Sequence, residues 1–194
     1  DGAIDGGAIT QINSPLDWEQ QVNISPQYID FEDPSTGIML TNEYETLGLT
    51  LSGDLTAEVD IDGSGPLGMQ AGHANSSTIH FLYTELQPAM SFWGIDVTTS
   101  LTFYGYAEGS LLYELSIDLN NDGLFGGTFV GLIFDYGVDE VVLEANAPND
   151  VWGVDDIGFS VLGLDDSDGD GLTEADGDCD DTNTDIGPNA SEIW

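Results

Sequence analysis

From Tyr28 onward the chain reads as short runs in which apolar and polar positions alternate, rich in Val, Ile, Thr and aromatics and cut by Gly, Asp and Asn. A period of two lets a strand bury one face and wet the other. Leu111, Tyr113, Leu115 and Ile117 alternate with Leu112, Glu114 and Ser116. Ile157, Phe159 and Val161 alternate with small residues, and Met90, Phe92 and Gly94 oppose Ser91, Trp93 and Ile95. No segment carries a sustained 3.6-residue period with caps, so no helix is expected. The pattern predicts about ten strands between Tyr28 and Leu162 and an all-β antiparallel sandwich, most simply a jelly roll.

The chain divides into three on the same grounds. Residues 1–27 hold glycines, Pro15, Pro26 and one short alternation from Ala8 to Ile12, and read as an extended arm able to add a strand to a sheet edge. Residues 28–163 are the sandwich. Residues 164–194 form a small Asp-rich appendage.

Charge changes the picture more than composition does. Of 194 residues, 40% are hydrophobic, enough for a core, yet there is no Lys or Arg and the net charge is -37. That excludes an electrostatic grip on nucleic acid or anionic lipid, and any lysine-based crosslink or Schiff base. It also leaves trypsin-like proteases no site, which suits a protein outside the cell. No apolar run is long enough to span a membrane. A start at Asp1 suggests a processed, secreted chain. The single Cys179 forms no internal disulfide, and Asn23, Asn75 and Asn189 are glycosylation sequons.

The appendage carries the densest chemistry. Ten of the 21 residues from Asp165 to Asp185 are carboxylates. Such crowding is relieved by a cation or by solvation as a disordered tail. Asp166, Asp168, Asp170 and Gly171 read D-x-D-x-D-G, the opening of a loop that wraps oxygens around Ca²⁺. Glu174 follows, and Asp176, Asp178 and Asp180 repeat the alternation beside Asp181. Gly177 stands where an EF-hand would place its closing Glu, so Asp176 or Asp178 would complete the shell. Asp118, Asn120 and Asp122 before Gly123 make a second such opening, also compatible with a hairpin turn. Asp60, Asp62 and Gly63 repeat it more weakly, as a plain loop.

Two resemblances follow from these residues. D-x-D-G-D-G, G-D-C-D-D-T-N and I-G-P-N-A-S-E, between Asp166 and Glu192, resemble the MopE-type metal-binding repeats of secreted bacterial proteins. The oxygen-rich ligand set argues for Ca²⁺ over copper. The segments Phe31–Asp33, Gly37–Tyr44, Leu47–Gly53, Phe129–Phe134, Val138–Glu144 and Gly153–Phe159 resemble, in order and spacing, a bacterial extracellular jelly-roll domain of galactose-binding or carbohydrate-module type. That resemblance implies a structural Ca²⁺ tying the first strand to the last, here through Asp30 or Glu32 with Asp155 or Asp156. The plain alternative is that Asp156 bonds loop amides.

Other chemistry is poorly supported. His73 and His80 lack a third nitrogen or thiolate nearby, and no G-x-S-x-G nucleophile motif occurs. Trp93 and Trp152 read as core and Trp18 as part of the arm. The expectation is a non-enzyme: a secreted Ca²⁺-binding structural protein of the cell surface or an extracellular filament, self-associating by strand addition and Ca²⁺ bridging. The alternative is a carbohydrate-binding adhesion module with structural calcium and glycan partners. Neither nucleic-acid binding nor membrane insertion is expected.

Overall fold

The computed structural model describes residues 7–22, 26–31, 39–53, 55–59, 70–74, 77–119, 127–147 and 152–160. It is all-β, with ten strands, one α-helix and one 3₁₀ turn among those residues. The strands are β1 (Ile9–Ile12), β2 (Pro26–Ile29), β3 (Leu49–Ser52), β4 (Leu55–Val59), β5 (Gln70–Ala74), β6 (Thr78–Ile95), β7 (Ser100–Ala107), β8 (Ser110–Asp118), β9 (Thr128–Ala145) and β10 (Trp152–Ser160). All are joined in one hydrogen-bonded network, and every pairing is antiparallel.

Two strands of 18 residues each, β6 and β9, run beside one another through the whole molecule. Their register is interrupted between Leu82 and Ala89 and then resumes at the same offset. On one side of that break β3 lies on β6 and β7 on β9, with β8 beyond β7, giving the layer β3-β6-β9-β7-β8. On the other side β1 lies on β9 and β10 on β6, while β2 and the β5–β4 pair share the far side of β10. Side chains from the two layers meet in one core. Phe103 of β7 stacks on Phe134 of β9 at 5.7 Å between ring centres, and Tyr83 packs on Phe159 at 5.5 Å. This is a sandwich-like arrangement in which the two longest strands belong to both layers.

Strand alternation accounts for most of the core. Leu101 and Phe103 point inward while Thr102 and Tyr104 do not, and Tyr113 and Ile117 are buried while Glu114 and Ser116 are exposed. Leu111 departs from expectation at 47% exposed, because the β7–β8 register slips between Gly105 and Tyr106 and turns it outward. The β7–β8 hairpin closes on Glu108 and Gly109, both with positive φ (50° and 74°), the handedness that a two-residue turn demands. By contrast β8 and β9 are separated by β7, so the hairpin reading of residues 118–123 is corrected.

The N-terminal segment is not wholly extended. It holds helix α1 (Pro15–Gln21), which the absence of a long 3.6 period had excluded. The topology asks for a crossover here. β9 and β10 are both antiparallel to β6, so β1 and β2 run parallel and their link must traverse a sheet face. Local signals start the helix: Ser14 accepts the Asp17 N–H and Pro15 sits in the first turn. The helix buries Trp18 completely against Phe129, Ala89 and Ile12, in a cluster separate from the main core. Trp18 Nε1 donates to Leu132 O at 3.3 Å, and its ring fills the space above Gly131, where any Cβ would collide with it.

The arm is also pinned at its start. The Ala8 N–H donates to Asp135 Oδ2 at 2.8 Å, and the Tyr113 hydroxyl donates to Asp135 Oδ1 at 2.7 Å. These two bonds hold the Asp135 pKa below its ordinary 3.8, the amide contributing most. Burial, reinforced by the Asp135 contact, pushes the Tyr113 hydroxyl up to about 12.

Two outcomes are expected. Trp18→Ala should cost about 3–5 kcal/mol in chemical denaturation, as for other buried aromatics. Gly131→Val should destabilise by expelling the same ring, so the double variant should cost clearly less than the sum of the two; additivity would show that the residues do not share a site. A carboxyl with a depressed folded pKa stabilises the fold above its unfolded value and stops doing so as pH falls through the folded one. The stability gap between the wild type and Asp135→Asn should therefore be present at neutral pH and close below pH 3.8. Melting curves of both across that range provide the check, and a gap unchanged in strong acid would contradict it.

Candidate functional site

The junction of β2 with β10 is where two ends of the sandwich meet. Ile29 pairs with Ile157 and Tyr28 with Gly158, and just past the last pair Asp30 follows Ile29 while Asp156 precedes Ile157. On its other side β10 slips against β6 between Asp155 and Gly158, forming a bulge. Asp156 sits in that bulge with φ of 43°, an uncommon conformation for a residue with a side chain. Asp155, just before it, is fully buried, and its Oδ1 accepts the Asp156 N–H at 2.8 Å. Asp155 thus accepts an amide within the bulge. Tyr28 ties this edge to the helix by donating to Glu19 at 2.7 Å. Burial, then the Glu19 carboxylate, then the nearby Asp156 charge push its hydroxyl pKa well above the usual range.

Asp30 also lines a cavity of ≈ 420 Å³ with Tyr28, Tyr44 and Glu43. Glu43 is held by the Thr41 N–H at 2.6 Å. Phe31 follows Asp30 at φ of 55° and turns the chain inward, its ring edge-on to Tyr44 at 5.9 Å. Glu32, the other proposed ligand from this strand, lies outside the described residues.

Asp118 ends β8 opposite Ser100 and is exposed. It lines a second, open recess of ≈ 450 Å³ with Thr99, Ser100 and Ser116, all oxygen-bearing side chains. Asn120 and Asp122, its partners in the loop motif, lie outside the described residues. So do Asp166, Asp168, Asp170, Glu174, Asp176, Asp178, Asp180 and Asp181, which is the whole C-terminal repeat, and the loop holding Asp60 and Asp62. Among the described residues no three His, Cys, Asp or Glu side chains form a metal-holding group. Asp30 and the Asp155–Asp156 pair lie beside the end of the β2–β10 ladder without forming such a group, and Asp118 lies at the end of β8 in the other layer.

His80, in β6, has Nδ1 3.1 Å from Glu140 Oε1 of the neighbouring β9. His73 lies on β5 opposite Thr56 and Gly153. Trp152 is buried in the main core as expected, while Trp93 packs on the outer side against Phe129 at 5.6 Å. Sequence reasoning missed the role of Trp18, whose signal was the Ser14-Pro15-Leu16-Asp17 start of a helix. It also passed over Tyr28 and Tyr44, which line the cavity with Asp30. Among the described residues no helix is long and apolar enough to cross a membrane.

No family model matches the chain, and no curated protein does.

Proposed function

We propose that this chain is a secreted Ca²⁺-binding structural protein: a jelly-roll sandwich whose first and last strands are tied by a cation and whose C-terminal acidic repeat binds more. The observation that carries the reading is the β2–β10 register. It ends at Ile29 and Ile157, next to Asp30 on one strand and to Asp156 and the buried Asp155 on the other, in a chain that has no Lys or Arg to balance them. Oxygen-only ligands on adjoining strands suit Ca²⁺ among common divalent ions. Asp118 with its loop, and the carboxylates from Asp166 to Asp181, are the further proposed sites.

Such a protein would work in a cell-surface layer or extracellular filament. In the single chain the arm folds back on its own sheet, β1 adding to the β9 edge. The same addition between chains would build a head-to-tail assembly. At -37 per copy, Ca²⁺ bridging would have to offset mutual repulsion.

Thermal melts in EGTA and in millimolar Ca²⁺, at one high NaCl concentration, test the reading. Binding to the folded state alone adds about 2.7 kcal/mol at a hundredfold excess over Kd. The melting temperature should rise with Ca²⁺, and rise less in Asp30→Asn and Asp156→Asn. Equal temperatures in the two buffers would defeat it, because salt has already removed nonspecific screening. Light scattering of the full chain and of one lacking residues 1–27 tests assembly. Larger species are expected only with both the arm and Ca²⁺, and a full chain that stays monomeric at high concentration with Ca²⁺ would exclude it.

A further inference from the structure

The cavity beside Asp30 has two walls of different origin. One is β2 with the residue after it, which supplies Tyr28 and Asp30; the other is the turn before β3, which supplies Glu43, Tyr44 and Leu47. Both walls are held from behind. The turn passes through a 3₁₀ segment, Glu45–Leu47, and ends on Gly48 at φ of 80°. The Leu47 and Leu49 N–H groups both donate to Tyr44 O, and the Thr84 N–H donates to Gly48 O at 2.9 Å, which docks the turn on β6. Phe31 braces the Tyr44 ring, the Thr41 N–H holds Glu43, and Glu19 holds the Tyr28 hydroxyl. The cavity is therefore preorganised, and a ligand need not order its walls on entry.

We infer that this cavity binds a small alkylated ammonium ion, of about the size of choline, between the Tyr28 and Tyr44 rings and the Asp30 and Glu43 carboxylates. At ≈ 420 Å³ it falls in the range of small-molecule sites. Its polar side chains are carboxylates and hydroxyls, and the chain has no Lys or Arg to neutralise them. The missing charge is thus positive. Carboxylates outside the cavity act in the same sense: burial first, then Glu19 and then Asp156 push the Tyr28 hydroxyl pKa up, so a negative field surrounds this ring.

The walls decide what carries the positive charge. Calcium takes about six to eight oxygens. Two carboxylates line this space, and among the described residues no third acid joins them in a metal-holding group. Aromatic rings attract a cation most strongly when it is desolvated. A primary ammonium is strongly hydrated and gives up more water on entry. An alkylated one sheds water readily and sets its carbon against Ile29 and Leu47, the apolar part of the lining. The inference goes beyond the calcium reading and does not rest on it. Asp30 is common to both, but Glu43 and Tyr44 come from a turn that takes no part in the β2–β10 ladder.

Calorimetric titration of the full chain with choline, in EGTA and at physiological NaCl, tests it. One saturable site is expected, with amide NMR shifts concentrated at residues 28–30 and 43–47. The uncharged carbon isostere of choline should bind at least about tenfold more weakly. Phosphocholine, the same group as a lipid headgroup carries it, should also bind more weakly, because its phosphate meets the carboxylates. Glu43→Gln keeps an acceptor for Thr41 while removing one charge, and should weaken choline about fivefold. Tyr28→Leu should weaken it about threefold or more, and Tyr28→Phe, which keeps the ring, should retain it. Glu114→Gln removes an exposed carboxylate from β8 and should leave binding as it is. If Tyr28→Leu melts early, Glu43→Gln against Glu114→Gln still decides the matter. No saturable binding, equal affinity for the uncharged isostere, tighter binding of phosphocholine, shifts spread evenly over the acidic surface, or equal losses in Glu43→Gln and Glu114→Gln would overturn the proposal.

Discussion

Everything in this molecule hangs from the pairing of β6 with β9. Each strand is long enough to serve both layers, so the ladder between them is the spine of two sheets at once. Across the central break the core-facing phase of β6 switches from Ile79, Phe81 and Tyr83 to Met90 and Phe92, so both halves face a common core, in which Phe103 and Phe134 stack. The remaining strands are positioned by which half of the spine they join. The parallel sense of β1 and β2 is fixed in the same way, and with it the need for a crossover that α1 meets while covering one outer face.

Around that apolar frame, the carboxylates are managed without any cation from Lys or Arg. Several act as acceptors for neighbouring amides and hydroxyls: Asp135 for Ala8 and Tyr113, Glu43 for Thr41, Asp139 for Glu108, and Asp155 for Asp156. A charge-assisted bond of this kind stabilises a turn or strand end more than a neutral one does. It leaves the charge in place, however, and 37 of them remain on a small body. The proposed calcium sites are the natural complement, since a divalent ion supplies the missing positive charge and satisfies oxygens that backbone donors do not reach.

Fold class was legible because alternation is a local signal. Tyr113, Ile117, Ile157 and Phe159 are buried where the period of two placed them. What a period cannot show is which strands pair. The turn-like Asn-Asp-Gly after Asp118 suggested a hairpin, but that link leaves β8 for a strand with which it does not pair. The helix was too short for a period to reveal, and only its Ser14 and Pro15 start marked it. Of the site, Asp30, Asp155 and Asp156 were named from sequence, and they lie beside the end of the β2–β10 ladder, where the shared cation is proposed. The buried state of Asp155 and the bulge at Asp156 were not readable, since both depend on how β10 meets β6. The cavity between Tyr28 and Tyr44 was invisible for the same kind of reason: its walls come from β2 and from the turn before β3.

The central claim, a cation shared between the first and last strands of the sandwich, is tested most directly by crystals grown with Ca²⁺ and measured at long wavelength for anomalous scattering. The account predicts a peak between Asp30 and the Asp155–Asp156 bulge, with carboxylate oxygens at about 2.3–2.6 Å from it. An empty junction in a crystal that shows calcium on other carboxylates would contradict it.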